Sequence, residues 1–84
     1  MSEINVPKAT VYGQPGCFQC KTAMRHMDAK NIPYSYEDVT ENEAAMKWVT
    51  DMGYKGVPVI VIGFEHTQGF NPDWINEKYA AAAA

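Results

Sequence analysis

The 84-residue sequence has little of the features that define several large classes of proteins. Basic residues are not in excess, because 7 Lys and Arg stand against 10 Asp and Glu and give a net charge of −3. Binding to nucleic acid or to an anionic membrane surface is therefore disfavoured. No apolar run approaches the roughly 20 residues that span a bilayer. Residues 1–7 lack the basic and apolar regions of a signal peptide, so we expect a cytoplasmic protein.

Cysteine is also scarce, since the chain contains only Cys17 and Cys20. A disulfide between them closes a loop too short to constrain much of the chain, so it cannot replace a hydrophobic core. Hydrophobic residues make up 46% of the sequence, which is enough to form that core. The length predicts a single domain over residues 1–84, and we expect a monomer. The two cysteines are then best explained by chemistry or by metal binding.

The hydrophobic pattern predicts four strands and three helices, in the order βαβαββα along the chain. Residues 8–13 and 34–39 are rich in β-branched and aromatic residues, which favour strands. Residues 57–62 form a nearly continuous apolar run, as expected of a central strand that is covered on both faces. Pro58 should take the first position of that strand, because it cannot donate to a sheet ladder. Residues 66–68 are expected to form a short last strand.

Turn and capping residues predict where the first two helices begin and end. The first helix should begin at Cys17, after a Pro-Gly turn, and should stop at Asn31. Thr40 and Glu43 have the spacing of a capping box, which predicts the start of the second helix. Gly53 is predicted to end that helix in the left-handed conformation.

The third helix is predicted from the sequence Asn71-Pro72-Asp73. This segment offers a capping side chain, a proline at the first helical position and an acid in the first turn. The helix should run through Tyr79. The alanine tail of residues 80–84 either extends it or frays.

Cys17 and Cys20 have the spacing of a dithiol pair for disulfide exchange. That reaction needs one thiolate to attack a disulfide and a second thiol to resolve the mixed disulfide. Cys17 is predicted at the N-terminus of a helix, where the helix dipole lowers a cysteine pKa from about 8.5 to roughly 3.5 to 7.5. We therefore predict that Cys17 is the nucleophile and that Cys20, one turn further along, is the resolving thiol.

Two alternatives remain open at this point. The pair could be half of a zinc site in a noncatalytic binding or adaptor module, with His26 and His66 as the available further ligands. Their spacing from the cysteines fits no common zinc site, so no metal and no cofactor is expected. The cysteines could also be incidental core residues, which the preceding Pro-Gly turn disfavours.

The order of these features resembles the thioredoxin superfamily. A CxxC motif opens the helix of a βαβ unit, and a Val57-Pro58 step precedes an apolar strand. The resemblance implies an α/β fold of glutaredoxin size, with a four-stranded mixed sheet and helices on both faces. It also implies that Pro58 is cis and that Pro58 and the Val57 backbone hold a substrate segment as an added strand.

Within that superfamily the chain is similar to the NrdH-redoxins. The similarity lies in the Cys-x-Gln-Cys motif of residues 17–20, Val11-Tyr12, Gly53-Tyr54, and His66 followed by Gly69-Phe70, Pro72 and Asp73. It implies a dithiol-disulfide oxidoreductase that carries electrons from thioredoxin reductase to a class Ib ribonucleotide reductase. It further implies substrate or partner contacts at eight positions, which are Tyr12, Phe18, Gln19, Val57, Pro58, Gly69, Phe70 and Asp73.

The chain also departs from the family pattern. Gln14 stands where the family commonly has Lys or Arg, and Thr67-Gln68 stands where it commonly has Trp-Ser. Gly69-Phe70 replaces the Gly-Gly of glutaredoxins, and Phe70 should crowd the groove for glutathione. We therefore expect weak binding of glutathione. A glutathione-dependent glutaredoxin is the alternative function. Tyr12 and Asp73 fit packing and the helix dipole as well as they fit substrate contact.

Overall fold

The structure is a computed structural model and describes residues 8–83. The predictions for residues 1–7 and for Ala84 lie outside the described residues. The elements follow the predicted order and are β1 (Ala9–Gly13), α1 (Phe18–Ala29), β2 (Tyr34–Asp38), α2 (Glu43–Asp51), β3 (Val59–Ile62), β4 (Glu65–Gln68) and α3 (Pro72–Ala83).

The four strands form one mixed sheet in the order β2-β1-β3-β4. β1 runs parallel to β2 and antiparallel to β3, so that Val11 faces Tyr36 on one side and Ile60 on the other. β4 pairs antiparallel with β3. The predicted four-stranded mixed sheet and the central position of the third strand are therefore confirmed.

The helices cover both faces of the sheet, as predicted. α1 and α3 pack on one face, in a core of eight buried residues that are Ala9, Val11, Ala23, Met27, Ile32, Ile60, Ile62 and Ile75. α2 packs on the other face, in a smaller core of Val39, Ala45, Val49 and Val59. In the described part of the chain, no helix has the length and apolar character needed to cross a membrane.

The predicted helix stops are found where the sequence places them. Asn31 adopts a positive φ of 58°, and the Ile32 amide donates to the Met27 carbonyl at 2.8 Å. Gly53 adopts a φ of 91° after α2. Both helices thus end in a left-handed residue whose neighbours satisfy the last carbonyl groups.

The predicted capping box at the start of α2 is wrong. Asn42 caps the helix, because its Oδ1 accepts from the Ala45 amide at 3.1 Å. The amide and hydroxyl of Thr40 instead donate to Asp38 Oδ1, at 2.8 and 2.6 Å. These two hydrogen bonds hold Thr40 in a turn at the end of β2, so its hydroxyl does not cap α2. The helix therefore begins two residues later than a cap at Thr40 requires.

Pro58 lies one residue before β3, whereas the sequence predicted it as the first residue of that strand. Its missing N–H explains the difference, because the ladder can begin only at Val59. The Pro58 carbonyl still accepts from the Gly69 amide at 2.7 Å. In α3, Asn71 caps as predicted by accepting from the Trp74 amide at 3.1 Å, and the alanine tail extends the helix through Ala83.

Candidate active site

Cys17 and Cys20 form a disulfide in the first turn of α1. Cys17 is the N-cap of the helix, and its Sγ accepts from the Cys20 amide at 3.1 Å. The Cα atoms of the two residues are 5.2 Å apart. Free amides at a helix N-terminus and the positive end of the helix dipole both stabilise a thiolate at this position.

The two sulfurs differ in their access to solvent. Cys20 is 1% exposed, whereas Cys17 is half-buried and lies at the end of the turn formed by Pro15 and Gly16. Reactive cysteines are partly exposed and lie in electropositive surroundings, while fully buried cysteines react slowly. The geometry therefore suits attack at Cys17 and resolution by Cys20, and these roles stay predictions.

The Val57–Pro58 peptide bond is cis, as the resemblance implies. Val57 is half-buried and packs against the core under α2, as Tyr12 and Trp48 also do. The bond between the Pro58 carbonyl and the Gly69 amide ties this loop to the end of β4. Val57 and the segment after β4 thus form one connected surface, while the Pro58 ring itself is buried.

Gln19 connects that surface to the active-site helix. Its Oε1 accepts from the Phe70 amide at 3.2 Å, across 51 residues of chain. Gly69 has a φ of 90°, and a Cβ added there would lie 3.7 Å from the same oxygen. The Gln19 side chain therefore already accepts the hydrogen bond that the Phe70 backbone amide can donate.

Two aromatic side chains flank this region. Phe18, directly after Cys17, is 76% exposed. Phe70 is half-buried against the larger core, and its ring meets the ring of His26 edge to face at 5.6 Å. Phe18 is thus available to a partner, while Phe70 contributes as much to packing as to the surface.

Tyr12 and Asp73 are not drawn into this site by a specific contact. The Tyr12 ring stacks on Trp48 at 4.9 Å, and burial, followed by the nearby Glu37 charge, raises the pKa of its phenol. Asp73 lies exposed in the first turn of α3, where the helix dipole favours an acid. The packing and dipole interpretations account for both residues.

A hydrogen bond between Tyr54 and His66 is a contact that the sequence did not predict. The Tyr54 hydroxyl and His66 Nδ1 are 2.6 Å apart, and the imidazole meets the edge of Trp48. The bond joins β4 to the start of the cis-proline loop. Both residues belong to the family similarity, but that similarity did not indicate that they touch.

Gly13 and Tyr36 lie against the buried cysteine and were also missed. A Cβ built on Gly13 would lie 2.8 Å from Cys20 Sγ and 2.9 Å from Tyr36 Cε1. Glycine is therefore required here by the close approach of two side chains. The alternation of β2 places Tyr36 on a sheet face, but its neighbour depends on the pairing of β2 with β1.

The zinc alternative finds no support in the described residues. Between residues 8 and 83, no three His, Cys, Asp or Glu side chains are grouped so that they could hold a metal ion. His26 instead lies 2.9 Å from Asn76 Oδ1, and His66 is paired with Tyr54.

Comparisons with known proteins point to one family. A glutaredoxin family model matches residues 9–67, which include both cysteines and the cis-proline. The gene 56 protein of Mycobacterium phage D29 is 37% identical over 70 residues, which are 81% of this chain and 78% of that protein. The glutaredoxin-like protein NrdH of Escherichia coli K12 is 27% identical over 77 residues, or 92% of this chain and 95% of that protein.

The solved structures agree with these relatives. The structure of the glutaredoxin-like protein NrdH-redoxin from Escherichia coli aligns with a TM-score of 0.80 at 27% identity. The alignment covers 83% of this chain and 92% of that chain. That protein is described as having a thioredoxin-like activity profile.

Proposed function

Because this chain belongs to the glutaredoxin family of thiol-disulfide oxidoreductases, we propose that it relays electrons from a thioredoxin reductase to a class Ib ribonucleotide reductase. The observation that carries the proposal is the Cys17–Cys20 disulfide at the N-terminus of α1, in which Cys17 is half-buried and Cys20 is buried. The thioredoxin-like activity profile of the related Escherichia coli protein supports the choice of reductase.

The reaction begins with the reduced dithiol. The Cys17 thiolate, stabilised by the helix N-terminus and the Cys20 amide, attacks one sulfur of the client disulfide. An S–S bond forms to Cys17, the client S–S bond breaks, and one client thiolate leaves. Cys20 then loses its proton to solvent and attacks Cys17 Sγ, which releases the second client thiolate. Two electrons have passed to the client, and the Cys17–Cys20 disulfide remains.

The start of α3 supports a protein reductase over glutathione. A carboxylate binds well where several free backbone amides converge at a helix N-terminus. Here the Phe70 amide donates to Gln19, the Trp74 amide donates to Asn71, and Pro72 has no N–H. Few amides are left for a carboxylate of glutathione, and the half-buried Phe70 ring occupies space beside them.

The surface around Cys17 offers apolar contacts for a protein partner. Phe18 is exposed next to the nucleophile, and aromatic anchors of this kind dominate protein interfaces. The Val57 backbone can pair with an extended client segment, as an added strand does. Pro58 has no N–H, its carbonyl accepts from the Gly69 amide and its ring is buried, so we propose that it holds the Val57 backbone in position. We propose Phe18 and Val57, together with Gln19, Gly69 and Phe70, as the docking surface for both reductase and client. Such a relay belongs in the cytoplasm, where thiols are kept reduced.

The test compares two NADPH-dependent systems at equal concentrations of the oxidised protein. One contains thioredoxin reductase, and the other contains glutathione with glutathione reductase. We expect NADPH oxidation to be faster by about tenfold or more with thioredoxin reductase, although a potential between about −270 and −200 mV allows either donor. Faster turnover through glutathione would contradict the proposal and favour the glutaredoxin alternative.

A second assay tests the client. Ribonucleotide reduction by a class Ib enzyme should depend on the reduced protein and on its reductase. The double variant Cys17→Ser/Cys20→Ser is the matched control, because it lacks both thiols. Equal ribonucleotide reduction with the double variant would rule out this client.

A further inference from the structure

The exposed fraction of Cys20 raises the question of what covers its sulfur. α1 and β1 account for one side of the side chain, because Cys20 lies on α1 and faces Gly13 at the end of β1. Gly13 has no Cβ, and an atom at that position would lie 2.8 Å from the sulfur. The sulfur of Cys20 therefore packs directly against the backbone of Gly13 at the end of β1.

The ring of Tyr36 approaches the same side of Gly13 as the Cys20 sulfur. β2 runs parallel to β1, with Tyr36 in register with Val11 and Asp38 in register with Gly13, so Tyr36 shares the sheet face that carries α1. Tyr36 Cε1 would lie 2.9 Å from the Cβ position of Gly13, which is also close to Cys20 Sγ. The ring edge and the sulfur are therefore within about 6 Å of each other, in the range of a sulfur–aromatic contact.

Cys20 is 1% exposed, while Tyr36 is 40% exposed. A half-exposed ring beside a fully buried sulfur forms a boundary between that sulfur and solvent. The phenol end lies towards Asp38, and burial, followed by the Asp38 charge, raises the pKa of Tyr36. The ring accordingly stays neutral at physiological pH and does not repel an anionic thiolate by its own charge.

We propose that Tyr36 is a positioning residue that shields Cys20 Sγ and thereby directs every incoming thiolate to Cys17 Sγ. The proposal rests on the proposed function of the pair as a redox centre. A disulfide has two sulfurs, and which one is attacked decides the products. Attack at Cys17 breaks the Cys17–Cys20 bond, joins the external sulfur to Cys17 and releases Cys20 as a thiolate, which takes a proton from solvent.

Attack at the other sulfur would be unproductive. It would join the external sulfur to Cys20, in a buried position where no second thiolate of a protein reductase can follow. Cys17 would be released as the free thiolate and could only displace the group again. A ring that covers Cys20 prevents attack on its sulfur, and it does so without contacting the partner protein.

The first experiment isolates Cys20 in a Cys17→Ser background. Its alkylation by iodoacetamide is followed as a function of pH, and the rate constant at the high-pH plateau reports access to the thiolate without its ionisation. We expect Tyr36→Ala to raise this plateau by about tenfold, since reactivity follows exposure. Tyr36→Phe keeps the ring and should leave the plateau within about twofold.

Tyr34→Ala is the matched control, because Tyr34 is a half-buried tyrosine of the same strand that pairs with Ala9, away from Gly13. It loses a ring of the same size and should leave the plateau unchanged. An equal rise in Tyr34→Ala and Tyr36→Ala would overturn the proposal, since general loosening would then explain both. No rise in Tyr36→Ala would overturn it as well.

The second experiment uses the oxidised protein with both cysteines. It is treated with excess cysteamine, quenched with acid, and the mixed disulfides are located by peptide mass spectrometry. We expect cysteamine on Cys17 in the parent protein and a measurable share on Cys20 in Tyr36→Ala. An unchanged distribution would contradict the shielding role. Neither experiment involves a reductase or a client, so a failure of the proposed relay would leave these results unaffected.

Discussion

Half-buried Cys17 and buried Cys20 should behave differently when the thiol of either one is removed. Cys20→Ser keeps the nucleophile and lacks the resolving thiol, so it should accumulate a mixed disulfide with a client protein. Cys17→Ser should not. Non-reducing gel electrophoresis followed by mass spectrometry identifies the adduct. Equal trapping by both variants, or trapping by Cys17→Ser alone, would reverse the assignment of the nucleophile.

Gln14 is the residue through which the charge near Cys17 can be changed. It lies exposed before the active-site turn, and its carbonyl accepts from the Cys17 amide at 3.3 Å. A cation at this position favours the thiolate, so Gln14→Lys should lower the pKa of Cys17. The pH profile of Cys17 alkylation should then shift to lower pH.

Gln14→Met is the control for this substitution, because methionine has a similar length and no charge. Its alkylation profile should match that of the parent protein. A shift of equal size in Gln14→Met would assign the effect to the loss of the amide. An unchanged profile in Gln14→Lys would show that the ammonium group points away from the sulfur.

At the scale of elements, substitutions at the start of α2 test which of two residues, Thr40 or Asn42, caps the helix. Asn42→Ala should reduce the free energy of unfolding by about 1 kcal/mol, because the Ala45 amide loses its acceptor. Asn42→Ser keeps an acceptor for the Ala45 amide without placing a second carboxylate beside Glu37, and it should cost less. Thr40→Val removes the hydroxyl that the predicted capping box would have used, and it should leave α2 intact. Urea denaturation measures all three variants, and a larger loss in Thr40→Val than in Asn42→Ala would contradict the observed cap.

The elements themselves were predictable because their signals are local. Hydrophobic periodicity, the glycine after α2 and the Asn71-Pro72 start of α3 each act within a few residues of where the structure shows them. The cap of α2 was mispredicted for a physical reason. Thr40 and Asn42 are both good caps, and the choice between them depends on Asp38, whose carboxylate accepts from both the amide and the hydroxyl of Thr40.

The contacts of the candidate site were less predictable than its residues. The CxxC motif and the cis-proline could be located from the sequence and its resemblance. The approach of Tyr36 to Gly13 depends on strand register, and the bond from Gln19 to Phe70 spans 51 residues. Such contacts depend on the packing of distant segments, which periodicity and turn chemistry do not determine.

For the whole molecule, the two cores on either side of the sheet should keep the protein folded in both oxidation states. The disulfide spans a sequence separation of three, so the loop it closes is very short. Loop-closure entropy for such a loop amounts to about 2 kcal/mol. The reduced protein should therefore stay folded, with a free energy of unfolding lower by about 2 kcal/mol or less.

This prediction is checked by urea denaturation of the oxidised protein and of the protein kept reduced. The Cys17→Ser/Cys20→Ser variant is the control for effects of the reductant. Loss of the native circular dichroism spectrum on reduction alone would show that the disulfide, and not the two hydrophobic cores, maintains the fold. A decrease of several kcal/mol in the free energy of unfolding on reduction would support the same conclusion.

The membership of the chain in the glutaredoxin family also agrees with the resemblance predicted from its motifs. The relatives at 27% identity include NrdH proteins, which share the size of this chain. The departures at Gln14, Thr67 and Gln68 leave the sheet order and the disulfide in place. They lie at the surface or on an edge strand, where substitutions disturb a fold least.

The confinement of the disulfide to a single helical turn has a consequence for how the protein is used in a relay. Donor and acceptor must both reach Cys17, and a bond that spans four residues leaves no second face on which either could dock while the other is bound. The two partners are therefore competitors, and the protein must dissociate from one before it meets the other. Electron flow through such a shuttle should fall when either partner is supplied in large excess in the form that cannot react.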